Sequence, residues 1–140
     1  NGQKRLKANG TSYVLNDWLV VPMEDADGNL LPAPRMPNFP RPTETISVFI
    51  IADPSDPSVE SFSTNQDHTH STGWFQKKGK EWTRITADIA PYRHGGSRIK
   101  NREGSANYLY LDSHVKSIGA EAIFSYAQTG FDFAKPPEMQ

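Results

Sequence analysis

Three features of the chain predict an α+β fold, mainly antiparallel β-sheet with long Pro-rich loops and a short C-terminal helix. Aliphatic and aromatic residues fall in short runs rather than long helical stripes. Eleven prolines and ten glycines punctuate the gaps. One stretch alone, near the C-terminus, carries a helical pattern. With 140 residues the chain suits a single domain, 1–140, with one core. Residues 1–10, polar and basic, are expected to lead in from a missing N-terminal region. Residues 11–131 are expected to form the globular core and 132–140 a tail. The opening Asn1-Gly2-Gln3-Lys4 has the look of a trimmed or processed chain.

In chain order, Thr11 to Val21 is β-branched and aromatic but broken by Asn16-Asp17, so one bulged strand or two short ones are expected, ended by Pro22. Asp25 to Asn29 reads as a turn in which Gly28 supplies positive φ. Its Asp-x-Asp-Gly-Asn order invites comparison with a calcium loop, yet Met36 stands where an EF-hand needs its distal Glu. Leu31 to Pro42 is a proline-rich, extended surface loop. Thr45 to Ala52 is almost continuously apolar beyond Ser47 and predicts a central strand covered on both faces. Asp53 to Pro57 stops it, with Asp56 placed to cap a short helical turn.

Gly73-Trp74-Phe75 and Glu81 to Ile85 predict two short strands joined by a solvated basic turn, Lys77 to Lys80. Tyr108 to Leu111 and His114 to Ile118 predict an antiparallel hairpin. Asp112-Ser113 would be its two-residue turn, with modest strain at Ser113 if the turn is type I′; a different loop type would spare Ser113 that strain. Ala120 to Gln128 predicts a helix with Ile123, Phe124 and Ala127 on one side and Gly130 as its stop.

Composition narrows the function classes. A formal net charge of -1 gives no electrostatic case for nucleic acid. Cysteine is absent, which removes disulfides, thiolate metal sites and cysteine nucleophiles. Aromatic residues are too plentiful for a disordered chain. No Gly-x-Ser-x-Gly elbow, phosphate-binding glycine loop or paired-carboxylate motif is found.

Histidine carries what chemistry remains. His68 and His70, preceded by Asp67, would project from one face of a strand, a beginning for a metal site that Asp112, His94 or His114 could complete. Those donors suit zinc, and Asp112 with nearby carbonyls would suit calcium. The plainer alternative is that both rings bond locally in a polar loop. His94, between Arg93 and Gly95-Gly96, reads either as a ligand or acid/base group or as an imidazole pinning the loop to the hairpin. Trp18, Trp74 and Trp82 would serve a carbohydrate-binding face only if their rings converged; otherwise they are core.

Several segments together resemble a known family. These are Ser12-Tyr13-Val14-Leu15-Asn16, Pro42-Thr43-Glu44-Thr45-Ile46, and Arg93-His94-Gly95-Gly96 followed by Asn107-Tyr108-Leu109-Tyr110-Leu111-Asp112-Ser113-His114-Val115-Lys116. They are similar to the C-terminal globular part of bacterial type II secretion pseudopilins and type IV pilin-like proteins carrying the prepilin-type processing-associated H-x9-DG domain. Two departures stand out. The interval from His94 to Asp112 is longer than the family's, with the surplus in the polar stretch Ser97 to Ser105, and Asp112-Ser113 replaces Asp-Gly. The resemblance implies a pilin-like globular domain with no catalytic activity and no required cofactor. Arg93, His94, Asn107, Asp112, Ser113 and His114 would be its structural signature. It also implies other pilin or pseudopilin subunits as partners, an N-terminal helix anchoring the precursor in the inner membrane, and a periplasmic or cell-surface location. A metal-binding protein or metal-dependent hydrolase using His68, His70, His94 and His114 is the competing expectation, and a carbohydrate-binding module the third.

Overall fold

A computed structural model describes residues 13–22, 27–30, 39–52, 67–96 and 102–140. Four antiparallel strands, β1 (Tyr13–Leu15), β2 (Ile46–Ile50), β3 (Ser105–Tyr110) and β4 (Val115–Gly119), form one sheet in chain order. Helices α1 (Asp17–Val20), α2 (Glu81–Asp88) and α3 (Ala120–Thr129) complete the α+β fold, with short 3₁₀ turns at Ser71–Gly73 and Pro137–Met139.

β2 is the interior strand its composition predicts, flanked by β1 and β3. Ile46 and Phe49, three residues apart, would face opposite sides of a regular strand. An irregularity between Ile46 and Val48 returns both to the core face. Phe49, fully buried, is the hub of an aromatic cluster. Its ring meets Trp74 at 5.8 Å, Tyr108 at 5.9 Å and Phe133 at 6.3 Å, all edge-on. Val14, Ala106 and Tyr110 from the sheet, Ile85 from α2 and Ile123 and Ala127 from α3 belong to the same core.

The predicted C-terminal hairpin is present, with Leu109 opposite Val115 and Ala106 opposite Ile118. The predicted C-terminal helix follows, its Ile123 and Ala127 buried, and Gly130 ends it at φ +74.

Four expectations are corrected. After β1 the chain does not continue as strand. Asn16 caps α1 by accepting from the Trp18 N–H at 3.2 Å, so the Asn-Asp pair read as a break is a helix start. Gly73 to Phe75 is turn rather than strand. Glu81 to Ile85 lies in α2, because Trp82, Ile85, Thr86 and Ile89 recur at helical spacing and turn Ile85, Thr86 and Ile89 inward. Finally, the core runs past the expected boundary at residue 131. Phe133 and Ala134 are buried, and the Ala134 carbonyl accepts from Asn16 Nδ2 at 2.7 Å. Asp56 and most of the proline-rich loop lie outside the described residues.

Candidate functional site

The segment that opens with Arg93 and His94 begins at a closed neck. The backbones of His94 and Ser105 exchange hydrogen bonds at 2.8 and 2.9 Å, drawing the two ends of the intervening loop together. Two glycines make this approach possible. A Cβ on Gly96 would lie 2.3 Å from the Glu103 carbonyl oxygen, and one on Gly104, whose φ is +85, would lie 2.5 Å from the Gly96 nitrogen. Tight backbone contact therefore requires glycine at both positions. The sequence offered His94's imidazole as the pin; the backbone does that work, and the side chain is exposed. Arg93 is also exposed, its N–H bonded to the Ala90 carbonyl at 3.2 Å. Beyond the neck Arg102 sets its guanidinium 4.1 Å over the Phe124 ring and 3.7 Å from Glu121 on α3.

The hairpin tip differs from the two-residue turn that was expected. Tyr110 N–H donates to the His114 carbonyl at 2.9 Å and the Tyr110 carbonyl accepts from Ser113 N–H at 3.0 Å, so Leu111-Asp112-Ser113 is a three-residue loop. In this loop class a type I turn is followed by one left-handed residue. Ser113 is that residue, at φ +74, while Asp112 keeps a negative φ. The Asp112 carboxylate lies 2.6 Å from His114 Nδ1, and this hydrogen bond holds Asp112 below the usual carboxylate range. The His114 ring stacks on Tyr110 at 4.3 Å. Asn107 is exposed on β3 opposite Ser117.

The histidine pair sits at the other edge of the sheet. Residues 67–69 run beside β1, with Leu15 N–H bonded to the Asp67 carbonyl at 2.9 Å and Thr69 N–H to the Leu15 carbonyl at 2.8 Å. The His68 and His70 rings are 5.8 Å apart, as a shared face requires. Each has its own carboxylate: His68 Nδ1 lies 2.6 Å from Asp67, while His70 Nδ1 lies 3.3 Å from the buried Asp88. Asp112 belongs to the hairpin tip instead, and among the described residues no three His, Asp or Glu side chains converge as a metal set. The residues named for zinc or calcium therefore do not come together as one sphere.

What sequence reasoning missed lies at the β1 end, beside the histidine pair. Asn16 is fully buried and donates through Nδ2 to the carbonyls of Ile46 (2.8 Å) and Ala134 (2.7 Å), tying β2 to the C-terminal segment. The Asp17 carboxylate, also buried, accepts from Thr72 N–H at 3.2 Å and Thr72 Oγ1 at 2.8 Å. The Ser71 hydroxyl lies between Asp17 Oδ1 and Asn16 Oδ1, 2.9 Å from the latter, with one proton to give. Asp88 accepts from Trp74 Nε1 at 2.6 Å and His70 N–H at 2.8 Å. The Asn-Asp pair before an apolar run was the one available signal, as a helix cap.

Asp132 lies near this network. Burial first, and then the Asp17 charge, push its carboxyl up to about 6 against the pull of the Ala134 and Lys135 N–H groups. The indoles do not form one exposed face, since Trp74 is core. Trp82 meets Phe124 edge-on at 5.3 Å and helps line a cleft of about 810 Å³ between α2 and α3, with Phe75, Lys78, Glu81 and Gln128.

Among the described residues no helix is long and apolar enough to cross a membrane. Compared with protein-family models, curated proteins and solved structures, the chain finds no match in any of the three.

Proposed function

We propose that the chain is the globular domain of a non-enzymatic structural subunit, a pseudopilin or pilin-like protein of a bacterial secretion or surface-fibre apparatus. The observation that supports this reading is how the residues matched to the signature are used. His94 contributes backbone pairing to the neck, Gly96 allows the chains to touch, and Asp112-Ser113 turns the hairpin. Residues with backbone duties specify a shape rather than a reaction. In this reading the partners are neighbouring subunits, the precursor is anchored in the inner membrane by a helix upstream of Asn1, and the domain lies in the periplasm or at the cell surface. The upstream coding sequence is the test. A Gly-Phe-Thr-Leu-x-Glu-type leader followed by roughly 20 apolar residues is expected. An open reading frame that lacks both would overturn the proposal.

A further inference from the structure

The two edges of the sheet are not alike. The outer edge of β1 is occupied by residues 67–69 through the Leu15 bonds to Asp67 and Thr69. β4 is the last strand of the sheet, and its register decides which of its backbone groups face outward. At one end Tyr110 N–H bonds the His114 carbonyl, and at the other Ala120 N–H bonds the Gly104 carbonyl at 3.0 Å. Between these ends antiparallel pairs alternate between bonded and non-bonded. Lys116 and Ile118, opposite Tyr108 and Ala106, therefore point their backbone groups at β3. Val115, Ser117 and Gly119, opposite Leu109, Asn107 and Ser105, point theirs away. Among the described residues these outward groups have no backbone partner. An evenly spaced row of this kind is a template for another strand.

We propose that the β4 edge takes a second copy of this chain, adding its own β4 antiparallel about a two-fold axis at Ser117. Side chains select this register. Centred on Ser117, all three outward residues are used, with Val115 opposite the partner's Gly119 and Ser117 opposite the partner's Ser117. Lys116 then falls opposite the partner's Ile118. Centring one residue earlier would set the two copies of Lys116 directly opposite each other, a like-charge pair, and would lose a bonded pair as well. Val115 is 59% exposed, and the partner's Gly119 offers it a site without a side chain. A Cβ built on Gly119 would meet only the Gly104 oxygen, at 3.8 Å. Val115 and Gly119 stand two residues to either side of Ser117, so one two-fold contact seats Val115 against Gly119 twice, a match that a second copy supplies and an unrelated peptide does not. This inference goes beyond the subunit reading and stands on edge geometry whether or not the chain belongs to a pilus.

Sedimentation across a concentration series and single-cysteine cross-linking test it together. A reversible dimer is expected, and Ser117→Pro should weaken it at least about tenfold, since it removes the central outward N–H bonds. The β3–β4 ladder keeps all its bonds in that variant, so its circular dichroism should be unchanged. Ser117→Cys should form a disulfide dimer on mild oxidation, because Cα atoms about 5.5 Å apart in a bonded pair are within disulfide reach. The chain has no cysteine of its own to interfere, and Gln128→Cys on the exposed part of α3 should not cross-link. A chain that stays monomeric at every concentration overturns the proposal. So does Ser117→Cys linking no faster than Gln128→Cys, even if Ser117→Pro unfolds. A dimer that persists in Ser117→Pro and fails to cross-link places self-association elsewhere; it removes the β4 contact and leaves the subunit reading to the upstream sequence.

Discussion

The β1 end and the β4 end of one sheet are held by different means. β1 has three residues, too few for a strand to stand alone, and it is fixed by side chains from distant parts of the chain. Asn16 reaches Ile46 and Ala134, Asp17 reaches Thr72, and residues 67–69 close the outer edge. The β4 end is a five-residue strand beside a six-residue one, set by a tight loop and a glycine neck, both built from neighbouring backbone. One end is specified by polar groups that must find each other across the fold, the other by turn geometry over a short stretch. The first arrangement concentrates stability in few side chains; the second leaves a register and, among the described residues, a strand edge without a backbone partner.

Asn16→Ala strikes the side-chain end hardest. It strands two buried carbonyls, removes the α1 cap and takes a partner from Ser71. With each unsatisfied buried group costing about 1–3 kcal/mol, a total loss of about 3–4 kcal/mol is expected. Urea unfolding should show a lower midpoint at unchanged slope. A loss under about 1 kcal/mol would mean that β1 is held by packing alone, and the contrast between the ends would dissolve.

Gly104→Ala probes the backbone end. Strain at φ +85 and the overlap with the Gly96 nitrogen together should cost about 2–4 kcal/mol. Gly79→Ala separates the two causes, because Gly79 has a similar φ of +79 but open space around it. It should cost only about 1 kcal/mol. Equal losses at both sites would show that the neck is not a close contact.

Asp132→Asn asks whether the side-chain end carries a charge it would be better without. A carboxyl held near 6 in the fold binds its proton more tightly there than in the unfolded chain, where it titrates near 3.8. Stability should therefore fall as pH rises from about 4 through 6, and the deficit should persist above that. Asparagine keeps an acceptor for the Ala134 and Lys135 N–H groups at 3.1 and 3.2 Å and has no charge to bury beside Asp17. A gain of about 1 kcal/mol at pH 7.5, absent at pH 4, is expected, with the slope between them flattened. Thermal melts across that range read it. A gain independent of pH would remove the charge from the explanation.

The same contrast decides how much of the molecule was legible beforehand. Tyr108 to Ile118 sets two short aliphatic and aromatic runs around a turn within a dozen residues, and Ala120 to Gly130 carries its stripe and its stop, so the hairpin and α3 can be read locally. β2 is legible because its run is apolar almost throughout. The α2 segment misleads because Trp82, Thr83 and Ile85 are strand-formers by propensity, and burial of Ile85 in the same core as Trp74 and Phe49 overrides that preference. The Asn16–Asp17–Ser71 network joins positions more than fifty residues apart, and Phe133 reaches the core from a segment with proline on its far side. Nothing local marks such contacts. Of the candidate site, the hairpin that carries Asp112 and Ser113 was legible, but the groups that close the neck before it were not. The imidazole of His94 was the conspicuous group, whereas the backbone around it and Gly104 form the neck.

The smallest expected effect is the one that isolates backbone geometry most cleanly. Ser113 holds φ +74 at the third position of the loop, a conformation costing an L-residue about 1 kcal/mol that glycine does not bear. Glycine gives some of that back through greater freedom in the unfolded chain. Ser113→Gly should therefore stabilise by about 0.5 kcal/mol, within the span left by the two opposing terms. The Asp112–His114 bond and the Tyr110–His114 stack involve neither the Ser113 side chain nor its hydroxyl, so both should persist. A small rise in melting temperature should come with slower amide exchange at Tyr110 and Ser113, the two donors that close the loop. If the variant is instead less stable, the serine hydroxyl contributes to the tip, and the β4 end is held by a side chain after all.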